Sequence, residues 1–115
     1  MYQFSYDEIV EDCQAEARLR EGQALDKAIS LLEVASAAGV GSREAIDALF
    51  FLRRLWTIFL DDVVEPGNGL PEALKSQLIS IGFWMLREIE EIRAGRSTDF
   101  AGVIEINAII REGLK

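Results

Sequence analysis

The 115-residue chain is half hydrophobic and 28% charged, with a net charge of −8 and a pI near 4.5. This length suits one compact domain, residues 1–115, that buries about two thirds of its unfolded-chain surface. The apolar fraction excludes a disordered chain, no apolar run reaches the ~18 residues of a membrane span, and the acidic balance repels phosphate backbones and anionic lipid.

The N-terminus reaches Asp7 and Glu8 without a basic stretch, so no secretory signal is read there and a cytoplasmic location without membrane insertion is expected. Ser5 and Glu8 have the spacing of a capping box, which predicts a short helix over residues 6–12. Over residues 15–38, Ala17, Ala24, Ala28, Leu31, Leu32 and Ala35 recur at three- and four-residue steps. They predict a first long helix, weakened by Gly22 and ended by Gly39-Val40-Gly41. Ser42 caps a second helix with Glu44 in its first turn, running to Val64 before Pro66-Gly67-Asn68-Gly69 forbids more. Pro71 fits the first position of a third helix that Ala94-Gly95 closes, and Ser97, Thr98 or Asp99 caps a fourth that continues to the end. No stretch alternates with the period of a strand. The expected fold is therefore all-α: a small, single-domain antiparallel bundle of four main helices plus a short N-terminal helix.

At about 100° per residue, one face of the second helix carries Ala45, Leu49, Leu52, Trp56, Leu60 and Val63, and this is its core face. Phe51, Leu55 and Phe59 widen the arc, as in a central helix with several neighbours. The opposite stripe is Arg43, Asp47, Phe50, Arg54, Thr57 and Asp61, so Phe50 is a ring in a charged face. On the third helix the core is Leu74, Leu78, Ile81, Met85, Ile89 and Ile92, with Gln77, Trp84, Glu88 and Glu91 opposite, and Trp84 is the second misplaced ring.

Two readings of these rings are open. Either the arm carrying Tyr2, Phe4 and Tyr6, or another helix, covers them and makes them core, or they anchor a partner helix. The candidate partner-binding residues are Phe50 and Trp84, with Arg54 beside Phe50 and the aromatic arm of Tyr2, Phe4 and Tyr6. On the fourth helix, Phe100, Val103, Ile104, Ile106, Ile110 and Leu114 form the apolar side, with Asn107 and Arg111 projecting beside it. Asn107 is expected to satisfy a neighbouring loop backbone, and Arg111 to pair with a carboxylate such as Asp61 or Asp62; a binding role is the alternative.

Familiar catalytic sets are missing. The chain has no histidine and a single cysteine, Cys13, so no Ser-His-Asp or Cys-His pair, Cys/His zinc site or internal disulfide can be assembled. Asp61-Asp62 and Glu90-Glu91 are adjacent acids, but neighbours on a helix diverge by about 100° and cannot address one substrate atom. Gly67-Asn68-Gly69 lacks the lysine and the strand-turn-helix setting of a phosphate loop. Arg53-Arg54 is the one basic doublet and has acids nearby, so no direct nucleic-acid contact is expected. Cys13 stands near Glu11, Asp12 and Glu16, which disfavour a thiolate. No catalytic residue, metal or cofactor is expected.

Four blocks of sequence point further. They are Tyr-x-x-Ser-Tyr-x-Glu-Ile from Tyr2 to Ile9, Ala-Leu-Phe-Phe-Leu-Arg-Arg-Leu-Trp-Thr from Ala48 to Thr57, Gln-Leu-Ile-Ser-Ile-Gly-Phe-Trp from Gln77 to Trp84, and Phe-Ala-Gly-Val-Ile-Glu-Ile-Asn from Phe100 to Asn107. In this order and at these separations they resemble the FlaF family, small flagellar biosynthesis regulators of alphaproteobacteria, over nearly the whole chain. The chain departs from that pattern at Cys13-Gln14, where a proline-containing break is expected, so residues 6–38 form either one helix or two. The resemblance implies a non-enzymatic regulator that promotes flagellin production and secretion, binding unassembled flagellin as a chaperone and acting alongside an FlbT-like regulator. The alternative is a post-transcriptional regulator acting on flagellin mRNA or its translation. The resemblance carries over no catalytic residue.

Overall fold

The computed structural model describes the backbone of residues 6–67 and 69–113, and side chains from residue 19 onward. Tyr2, Phe4 and Leu114, and the side chains of Tyr6 and Cys13, lie outside the described residues. Four helices and, among the described residues, no strand make up the fold: α1 (Tyr6–Ala38), α2 (Arg43–Val64), α3 (Glu72–Arg93) and α4 (Phe100–Gly113). The short helix expected over residues 6–12 is not separate. It is the first part of α1, because Cys13-Gln14 contains neither proline nor glycine to interrupt the hydrogen-bond ladder. At 1.5 Å per residue the 33 residues of α1 span about 50 Å, nearly the whole 55 Å long axis of the molecule.

The helix ends follow local chemistry. Ser42 is the N-cap of α2, its hydroxyl accepting from the Ala45 N–H at 3.1 Å. Pro71 sits one residue earlier than expected, at the N-cap of α3, where its missing N–H is equally harmless. Beyond Ala94, Gly95 adopts a φ of 80°, and the Gly95 and Arg96 N–H groups donate back to Ile92 and Glu91, closing the helix in the left-handed manner that favours glycine. Of the three candidate caps for α4, Asp99 performs the role. Its carboxylate accepts from the Gly102 N–H at 2.9 Å.

Successive helices run antiparallel. The pairs α1–α2, α2–α3 and α1–α4 pack closely, whereas α3 and α4 barely meet, so the four-sided bundle has one open edge. Leu25, Ala28, Leu32 and Ala35 of α1 meet Ala45, Ala48, Leu49, Leu52 and Trp56 of α2, with Met85, Ile89, Ile92, Phe100 and Val103 completing one core. The alanines let the α1 and α2 backbones approach. Gly82 does the same for α3 against α2, since a Cβ there would stand 2.5 Å from a methyl carbon of Leu60.

The core expected for α3 is too long at its N-terminal end. Leu74 is 39% exposed and Leu78 only half-buried. The 14 residues of α4 cover about 21 Å and run out before reaching the first turns of the 22-residue α3.

Candidate functional site

Asn107 and Arg111 fix the position of α4, and both find partners other than those expected. Asn107 is completely buried, and its hydrogen bonds go to helices and not to a loop. Its Oδ1 accepts from the Trp56 indole Nε1–H at 2.9 Å, and its amide nitrogen donates to the Val103 carbonyl at 2.8 Å and approaches Met85 Sδ at 3.6 Å. A buried indole N–H needs an acceptor, and α4 supplies it from across the core. Arg111 pairs with Asp26 of α1 at 2.9 Å and not with Asp61 or Asp62, because α4 lies along α1. The guanidinium crosses α1 at Gly22, where a Cβ would stand 2.9 Å from its carbon atom. Gly22, which reads in sequence as a helix weakness, is the notch that admits Arg111.

Phe50 and Trp84 are exposed to different degrees and on different flanks. Phe50 is 65% exposed on the outer ridge of α2 with Arg54 one turn away, and Trp84 is 36% exposed. On α3, Gly82 marks the side facing α2; Trp84 is turned about 160° from it. It shares its flank with Glu88, which accepts from Ser97, and with Glu91, which accepts from Arg96. No single partner helix can lie on both rings at once. The Tyr2, Phe4 and Tyr6 arm lies outside the described side chains.

The flank carrying Trp84 borders the open α3–α4 edge. Ser76, Gln77, Ser80 and Ile81 line a depression of about 410 Å³ that begins one turn before Trp84. Across the edge, Arg111 points to α1 and Asn107 inward, so Ile110 and Ile106, farther round α4 in the same sense, lie on its opposite side. Both are half-buried. The edge thus carries a shallow depression on α3, the half-buried Ile106 and Ile110 on α4, and the Trp84 ring beside them.

Sequence reasoning missed Phe83, Ile46 and Ile58, which are 62%, 59% and 61% exposed. The same wheel places all three away from the core centres, so the signal was present. It is hidden by the habit of assigning every large apolar residue to the interior.

The charged groups around these surfaces are engaged with one another. Arg93 donates to Glu90 and Arg96 to Glu91, and these hydrogen bonds hold both carboxyls below their ordinary range. Among the described residues no three potential metal ligands converge, and no helix is long and apolar enough to cross a membrane. The chemistry on offer is that of a binding surface: half-buried apolar side chains, exposed rings and tethered charges.

A family profile described as Flagellar protein FlaF matches residues 2–114. No curated protein and no solved structure gives a significant match to the chain.

Proposed function

The chain belongs to the FlaF family of flagellar proteins, and on that premise we propose that it is a non-enzymatic binder of unassembled flagellin, holding a flagellin helix along the open edge between α3 and α4. The observation that carries this reading is the open edge of the bundle. Three edges of the four-helix square are closely packed and the fourth is the loosest, and along it lie the half-buried Ile81, Ile106 and Ile110 and the exposed Trp84. An amphipathic helix binds such an edge by laying its apolar face across it, as a fifth helix of the bundle. Flagellin so covered is protected from premature polymerisation, and the ratio of free to occupied chaperone reports flagellin supply to expression, through an FlbT-like regulator.

Co-expression with flagellin followed by capture tests the reading. Trp84→Ala is expected to weaken flagellin binding by about 1 to 3 kcal/mol, the loss typical of an aromatic anchor. Because the ring is one-third exposed, melting should change far less than for a core aromatic. Unchanged capture by a well-folded Trp84→Ala protein would refute this edge as the flagellin site.

The charge balance opposes the alternative in which the chain contacts flagellin mRNA. With twenty acidic and twelve basic residues and a net charge of −8, the chain repels a run of phosphates. Titration of labelled flagellin mRNA at physiological salt should give no micromolar complex; a tight, salt-sensitive one would reverse the assignment.

A further inference from the structure

We propose that the outer ridge of α2 is a self-association surface on which a second copy of this chain docks antiparallel, across a two-fold axis. Along this ridge Arg43, Asp47, Phe50, Arg54, Thr57 and Asp61 recur at steps of four, three, four, three and four. That is the spacing of a heptad seam, and it reads the same in both directions. All six residues are exposed, Phe50 at 65%. No neighbouring helix covers them, since α2 turns its opposite face to the core.

The two-fold is argued from charge. In an antiparallel pair of identical helices each layer joins residues whose numbers sum to a constant. Here the layer that sets Arg43 against Asp61 of the second copy also sets Phe50 against Arg54 and Asp47 against Thr57. The first is an ion pair of opposite charges and the second a guanidinium over an aromatic ring. The third places a lone carboxylate against a small neutral residue whose hydroxyl already donates to the Arg53 carbonyl. Each layer occurs twice, as an isologous interface requires. No layer sets like charges together. Within one copy these groups have little to hold them: Arg43 and Asp47 are 3.9 Å apart, with side chains 90% and 66% exposed, and neither Arg54 nor Asp61 forms an ion pair among the described residues. Ile46 and Phe83, exposed on the α3 side of the ridge, extend the contact with apolar area. The surface is separate from the α3–α4 edge and does not depend on the flagellin reading.

Sedimentation velocity on the full chain, from about 1 µM to about 1 mM, tests the proposal. The native chain is expected to pass from monomer to dimer within that range. Phe50→Asp should abolish the dimer, and Arg43→Glu or Asp61→Arg alone should weaken it about tenfold or more. The double variant Arg43→Glu/Asp61→Arg should regain dimerisation, because it restores the same pairs with their signs exchanged. The substituted residues are exposed, so unchanged circular dichroism and melting will separate lost association from lost folding, and Trp84→Ala should dimerise normally. A chain monomeric at 1 mM would overturn the proposal, as would a Phe50→Asp protein that still dimerises or a double variant that stays as weak as the single ones. A monomeric chain whose flagellin capture is lost on Phe50→Asp would assign the ridge to flagellin instead.

Discussion

Trp56→Ala is expected to cost about 3 to 5 kcal/mol of folding stability, the range for truncating a buried large aromatic. The Trp56 side chain is 2% exposed and its ring meets Phe59 edge-on with centroids 5.5 Å apart. Its removal leaves a void in the core, and it strands the Asn107 Oδ1 without its donor. A domain of this size has about 5 to 15 kcal/mol in hand, so the variant should unfold at a much lower denaturant midpoint. A loss near that of Trp84→Ala would show that the ring is not the centre of the core.

Asn107→Leu is the second large effect. The replacement keeps the same branched shape and number of side-chain heavy atoms while removing the acceptor, and its larger methyl groups add to the cost at this fully buried place. The Trp56 Nε1–H would be left buried with no acceptor, at a cost of about 1 to 3 kcal/mol. Offsetting gain from burying leucine is limited, because the same cavity must still hold the indole nitrogen. Chemical denaturation of the single variants and of Trp56→Phe/Asn107→Leu checks this. The double variant should lose less than the two single losses added together, since removing both partners removes the unsatisfied group. Strict additivity would mean the two residues act independently.

These two residues also indicate what could be read before any coordinates. Helix α2 was legible almost to its ends, because its 22 residues carry one uninterrupted apolar face between a serine cap and a Pro-Gly stop. The same wheel set Phe50 in a charged stripe but left open whether another segment covers it; the ring is 65% exposed. The partners of Asn107 and Arg111 were not legible, since both lie across the bundle and depend on α4 lying along α1 with its inner face toward Trp56. A buried indole N–H and a buried amide oxygen are chemically complementary, yet from sequence alone a neighbouring loop backbone was the expected partner of Asn107. The continuity of α1 was obscured by a genuine capping signal at Ser5 and Glu8, which marks a helix start without saying where that helix stops. The open α3–α4 edge was invisible for a different reason. Helix lengths can be counted, but which pair of four neighbours packs loosely is set by how α4 divides its side chains between α1 and α3.

The notch at Gly22 ties two distant positions into one unit of inheritance. Any side chain at residue 22 meets the far end of the Arg111 side chain, so the arginine must shift, which disturbs its hold on Asp26. Relatives with a larger residue at this place should therefore tend to carry a shorter residue where Arg111 stands, and those that keep the arginine should more often keep the glycine. The third position, Asp26, is bound less tightly into the set, because a carboxylate without the arginine simply faces water on the exposed side of α1. The expected pattern across the family is thus correlated exchange between positions 22 and 111, with looser drift at 26.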